Sequence, residues 1–145
     1  MAQDISAISR IEIKRDVETV WNALTDPELI RQYLSNTRVA TDWEVGSPIS
    51  FMGDHEGKAY HDKGTILVSE APKTLKYTFW NSLAGKEDVY DNYTHVLYQL
   101  KRLGEDSTEL TITNEKLENE EQKQHMEESW TKVLQDLKKL LESEQ

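Results

Sequence analysis

The residues best suited to metal chemistry are His55, Glu56 and His61. A zinc-protease helix needs His-Glu-x-x-His, so that both imidazoles project from one face. Here the second histidine stands six residues after the first, and Gly53 and Gly57 break any helix, so the segment reads as a polar hairpin loop and no metal is expected. His125 has Glu121 and Glu128 at helical spacing, a pattern of a solvated face with local charge pairing. His61, beside Asp62, is the one group suited to general acid or base work near neutral pH. With no cysteine, thiolate nucleophiles, disulfides and Cys-based zinc or iron–sulfur sites are excluded. The sequence has no Gly-x-Ser-x-Gly elbow, no Gly-x-x-x-x-Gly-Lys phosphate loop and no Gly-x-Gly-x-x-Gly turn, so no cofactor is expected.

The chemistry that remains is apolar and aromatic, and it depends on elements that gather these side chains. Ile5, Ala7, Ile11 and Ile13 alternate with Arg10, Glu12 and Lys14, which predicts a half-buried strand over about residues 5–15. Asp16 can cap a short helix through Leu24, with Val17, Val20, Trp21 and Leu24 on one face. A second helix start follows at Asp26-Pro27-Glu28, where the missing N–H of proline leaves no partner wanting. Its apolar residues are Leu29, Ile30, Tyr33 and Leu34.

From residue 36 to 114 the period is two, with turn signals at Gly46-Ser47-Pro48, Gly53 to Gly57, Ala71-Pro72, Ala84-Gly85 and Gly104 to Ser107. This predicts an antiparallel meander of about six strands. Ile49 and Phe51, Ile66 and Val68, Leu75, Tyr77 and Phe79, Val96, Tyr98 and Leu100, then Leu110 and Ile112 form its apolar face. The period returns to 3.6 in Met126, Trp130, Val133, Leu134, Leu137, Leu140 and Leu141, on a helix from about Asn119 to Glu142. Such a helix reaches roughly 35 Å, enough to cross a sheet. An apolar sheet face and an apolar helix stripe must cover each other, so the expected class is α+β.

Composition bounds the function. The 145 residues carry 17 Lys+Arg against 27 Asp+Glu, a net charge of −10, which opposes binding to nucleic acid or to an anionic membrane. Four Trp, six Tyr and two Phe supply the apolar area that disordered chains lack, and one domain over residues 1–145 is expected. The longest apolar runs are as short as Ile66-Leu67-Val68, so neither a membrane span nor a signal core fits, and a cytoplasmic monomer is expected.

The last helix is uneven. Its second half is densely apolar, whereas its first half offers only Leu117, Met126 and Trp130 among Glu, Gln and Lys. Too few large side chains fill the space above that part of the sheet, which predicts a cavity open at one end. The expected lining is Phe51, Ile66, Tyr77, Phe79, Tyr98, Met126 and Trp130, with His61 or a tyrosine hydroxyl fixing orientation.

Five segments occur here in a diagnostic order. They are Val20-Trp21-Asn22-Ala23-Leu24-Thr25-Asp26-Pro27-Glu28-Leu29, Asp42-Trp43-Glu44-Val45-Gly46-Ser47 with Phe51, Asp62-Lys63-Gly64-Thr65-Ile66 leading to Ala71-Pro72-Lys73-Thr74-Leu75-Lys76-Tyr77, Thr108-Glu109-Leu110-Thr111-Ile112-Thr113, and Trp130-Thr131-Lys132-Val133-Leu134-Gln135-Asp136-Leu137. In this order the chain resembles the bacterial homologues of the C-terminal domain of the activator of heat-shock-protein ATPase, within the START-like (SRPBCC) superfamily. The resemblance implies a helix-grip fold, also called birch-pollen-allergen-like: a curved antiparallel sheet around a long C-terminal helix, with two short helices after the first strand. It also implies binding of a hydrophobic small molecule, since superfamily relatives hold sterols, lipids, polyketides and phenolics, and some are cyclases or hydratases. Where many relatives carry Trp after the second short helix, this chain has Tyr33. The family supplies no universal catalytic set, so binding is expected over catalysis. A protein partner docking on the acidic run from Asn114 to Glu128, six Glu against two Lys, is the competing expectation.

Overall fold

The computed structural model describes residues 5–143. Its elements are β1 (Ile5–Ile13), α1 (Val17–Thr25), α2 (Pro27–Tyr33), β2 (Arg38–Ala40), β3 (Pro48–His55), β4 (Lys58–Glu70), β5 (Thr74–Phe79), β6 (Thr94–Gly104), β7 (Ser107–Leu117) and α3 (Glu120–Ser143). Both short helices start on aspartates. Asp16 accepts from the Thr19 N–H at 3.2 Å and the Thr19 hydroxyl at 2.5 Å. Asp26 accepts from the Glu28 N–H at 2.9 Å, with Pro27 in the first turn. These side chains satisfy amide donors that a helix start leaves without partners.

The seven strands form one sheet in the order β1-β7-β6-β5-β4-β3-β2, antiparallel at every junction. The β3–β4 hairpin turns through Glu56 and Gly57, both at positive φ (50° and 83°), as a two-residue turn matched to strand twist requires. The strands β4 and β5 approach closely at Gly64, where a Cβ atom would stand 1.6 Å from the Thr78 carbonyl oxygen. Only glycine allows that approach. The chain between β5 and β6 is longer than its single Ala84-Gly85 turn signal indicates: residues 80–93 form an excursion that includes one 3-10 turn, Tyr90–Asn92.

Register stacks the inward side chains into rows. One row runs Ile66, Tyr77, Val96, Asn114 and Ala7 across β4, β5, β6, β7 and β1. The next runs Leu75, Tyr98, Ile112 and Ser9. Helix α3 lies over these rows, and its Leu134, Leu137 and Leu141 are buried with Ile13, Leu110 and Ile112. Its C-terminal end is tied down by polar contacts as well. The Arg15 guanidinium donates to the Leu141 carbonyl at 2.6 Å, the Lys14 N–H to Glu142 at 2.8 Å, and Lys138 to both the Glu12 carbonyl and Glu142 at 2.6 Å. Its start is held by Asn119, whose side chain accepts from the Gln122 N–H at 2.8 Å. This is the helix-grip arrangement. No helix among the described residues is long and apolar enough to cross a membrane.

Candidate functional site

Two of the spaces between sheet and helix differ sharply in size. Under the second half of α3, a void of about 20 Å³ is enclosed by residues that include Tyr33, Leu75, Tyr98, Ile112, Leu134 and Leu137. It has room for about one water molecule. Under the first half lies a cavity of about 330 Å³, within the size range of small-molecule sites. Its apolar wall is Leu34, Phe51, Tyr77, Phe79, Val96, Met126, Trp130 and Val133. Its polar groups are Thr37, Tyr60, Asp62, Asn81, Asn114, His125 and Ser129. Asn81, His125 and Ser129 are exposed and stand at the mouth.

The aromatic wall is a chain of ring contacts. Phe51 meets Tyr77 and Phe79 with centroids 5.4 Å apart in each case, Tyr77 meets Tyr98 at 5.8 Å, and Tyr98 meets Trp130 at 5.9 Å. Tilted and edge-on rings at these separations are favourable beyond their buried area. The Tyr77 and Tyr98 hydroxyls are 3.0 Å apart and share a hydrogen bond. Burial raises all three inner phenols: Tyr98 to about 12, and Tyr77 and Tyr33 well above the ordinary value. They are neutral at any physiological pH. Tyr33 donates to the Ala23 carbonyl at 2.9 Å, locking α2 against α1.

Of the expected lining residues, Phe51, Tyr77, Phe79, Met126 and Trp130 border the larger cavity. Tyr98 borders only the small void, and Ile66, with 0% exposure, borders neither. Alternation places a side chain inside the sheet, but it does not say whether a void or another side chain stands above it. His61 is a correction. It is exposed on the outer face of β4, and its N–H donates to the Ser82 hydroxyl at 3.0 Å. Consecutive strand residues point to opposite faces, so Asp62 lines the cavity and His61 does not. Asp62 Oδ1 accepts from the Ser82 N–H and hydroxyl at 2.8 and 2.9 Å. Acid–base chemistry through His61 in this cavity is therefore ruled out by position.

Asn114 is the residue that sequence reasoning passed over. Its signal was present, since it continues the inward series Leu110, Ile112, Asn114 with a polar group. Among the described residues no three His, Asp or Glu side chains group as metal ligands.

No curated protein matches the chain. Among solved structures, ChR145 from Cytophaga hutchinsonii is 38% identical with a TM-score of 0.83, the match covering 96% of this chain and 94% of that one. The Aha1 dimer from Colwellia psychrerythraea is 18% identical with a TM-score of 0.72, covering 93% and 94% of the two chains. PFC0360w from Plasmodium falciparum, described as an HSP90 activator, is 18% identical with a TM-score of 0.62, covering 78% of this chain and 74% of that one. The last two are likenesses of fold. A sequence profile described as "Activator of Hsp90 ATPase homolog 1-like protein" matches residues 14–142, nearly the whole length. The chain belongs to that family, and with it to the START-like helix-grip proteins.

Proposed function

We propose that this protein binds an apolar or aromatic small molecule in the cavity beneath the first half of α3. The carrying observation is the contrast between that cavity, about 330 Å³, and the filled interior beneath the second half, where only about 20 Å³ remains. A ligand that buries about 200 Å² of apolar surface gains about 5 kcal/mol from desolvation before ordering costs. Phe51, Tyr77, Phe79, Met126 and Trp130 supply that surface on rigid strands and a helix tied at its far end. Binding is the whole of the proposed activity, and the lack of cysteine fits a reducing cytoplasm.

Titration with N-phenyl-1-naphthylamine, an uncharged probe that brightens in apolar surroundings, tests the reading. Saturable binding at one probe per chain is expected, weakened at least about fivefold by Phe79→Ala, which removes part of the aromatic wall at a residue that is only partly buried. Absence of saturable binding overturns it.

A second reading rests on the family and on charge. Glu118, Glu120, Glu121 and Glu128 are exposed around the start of α3, a surface suited to a basic face on a protein partner. Salt-sensitive capture of one partner, lost when these four are changed to Gln, would support it.

A further inference from the structure

Among the described residues, Asp62 is the only carboxylate that lines the cavity, and it is half-buried there. It stands across the β3–β4 hairpin from Phe51, and directly opposed residues of an antiparallel pair share a face. Its side chain therefore points to the same side as the ring cluster of Phe51, Tyr77 and Phe79. Ser82 donates twice to Oδ1, at 2.8 and 2.9 Å, which fixes the carboxylate in place. Among the described residues nothing donates to Oδ2, and no ion pair reaches either oxygen. An uncharged ligand filling this space strips water from a carboxylate and supplies no cation in exchange, which is unfavourable. A cation reverses the balance, because it offsets the carboxylate and is attracted to the faces of the surrounding rings. We propose that the ligand is an organic cation, a quaternary or protonated amine on an apolar or aromatic body, with its charged end held between Asp62 and the Phe51–Tyr77–Phe79 wall.

The surroundings leave the Asp62 charge for a ligand to meet. No Lys or Arg lines the cavity, and His125 at its mouth forms no ion pair with Asp62. Lys63, next in the chain, pairs with Asp88. In the adjoining groove, which shares Phe79, Asn81 and Met126 with the cavity, Lys86 pairs with Glu118, and Lys116 stands 4.8 Å from the centre of the Tyr90 ring. The inner hydroxyls are occupied with one another, Thr37 with Tyr60 at 2.5 Å and Tyr77 with Tyr98 at 3.0 Å. A carboxylate or phosphate ligand would meet Asp62 with no cation to receive it.

This inference rests on the cavity being the binding site, and its test separates the two. The probes are benzyltrimethylammonium and neopentylbenzene, which match in shape and differ in a cationic nitrogen against carbon. Both are titrated into the unaltered protein, Asp62→Asn and Glu105→Gln. Asp62→Asn removes the charge and keeps an oxygen for Ser82, whereas Glu105→Gln removes the same charge from an exposed turn at the far end of β6. With Asp62→Asn the cation should lose at least about fivefold in affinity, the order expected of unit charges about 5 Å apart near a protein surface, while the hydrocarbon holds or gains. With Glu105→Gln the cation should change less than about twofold, because salt screens a distant exposed charge. Equal changes for both probes with Asp62→Asn, equal losses of the cation in both variants, or binding of the hydrocarbon alone overturn the cation and leave the cavity reading standing. Failure of both probes to bind the unaltered protein overturns both. If Asp62→Asn does not fold, the Ser82 amide proton, bonded to Asp62 Oδ1, decides in the unaltered protein. A saturating shift with the cation alone supports the proposal, and the same response to both probes overturns it.

Discussion

The rings of Tyr98 and Trp130 meet edge to face, centroids 5.9 Å apart with planes at 85°, at the boundary between the filled and the open interior. Trp130 borders both spaces, while Tyr98 borders only the small one. The boundary follows from the helix sequence. Leu134, Leu137 and Leu141 descend into the sheet beyond Trp130, and before it Met126 alone offers a comparable apolar side chain.

Truncations on either side of that boundary should therefore separate. Leu137 is 1% exposed, so Leu137→Ala should lower stability by about 2–5 kcal/mol in urea titration and barely alter probe affinity measured well below its new midpoint. Met126 is half-buried and faces the cavity, so Met126→Ala should lower stability by less than about 1 kcal/mol and change probe affinity several-fold. Equal stability losses with unchanged binding would make the whole stripe ordinary core.

Gly64→Ala should be far more damaging than its size suggests. The added methyl would sit 1.6 Å from the Thr78 carbonyl oxygen, and both partners are backbone, so β4 or β5 must shift. A loss of about 2 kcal/mol or more is expected by chemical denaturation. Gly104→Ala, where a Cβ meets nothing within 4 Å, serves as the control and should change stability by less than about 1 kcal/mol.

Much of this architecture was legible in the residues. Asp16 and Asp26-Pro27 marked two helix starts, the alternation marked the five strands β3 to β7 but not the three-residue β2, and the uneven stripe of α3 indicated where space would remain. Each is a local or periodic signal. The residues that were misjudged depend on tertiary position. His61 and Asp62 are neighbours whose faces are fixed only by pairing with Met52 and Phe51 across the hairpin. Ile66 and Tyr77 share a row, yet one is sealed and the other borders space, because the difference is made by what lies above them. The excursion over residues 80–93 has no period to read; its order comes from contacts such as the Trp80 indole N–H to the Glu87 carbonyl at 3.1 Å.

The inner tyrosines should make the fold sensitive to alkali. Burial, the largest cause, raises Tyr98 to about 12, and raises Tyr77 and Tyr33 as well. Between pH 10 and about 12 the unfolded chain releases the Tyr98 proton while the folded chain keeps it. The unfolded state then binds fewer protons, so stability is full below pH 10 and falls as pH rises, by about 1.4 kcal/mol per unit for each such phenol. Ultraviolet titration should show these tyrosines ionising together with unfolding, and Tyr98→Phe should flatten the alkaline decline. Free ionisation of all six tyrosines near pH 10 in the folded protein would contradict the buried hydroxyl pair.

The space beneath the first half of α3 is the proposed seat of an apolar ligand. The most direct measurement is a nuclear magnetic resonance titration of isotope-labelled protein with N-phenyl-1-naphthylamine, following side-chain signals on both halves of the helix. The Met126 methyl and the Trp130 indole, with the Phe51, Tyr77 and Phe79 rings, should shift along one saturating curve at one probe per chain, while the Leu137 and Leu141 methyls stay in place. Shifts confined to exposed surface residues such as Val45 and Leu103, or none that saturate, would contradict it.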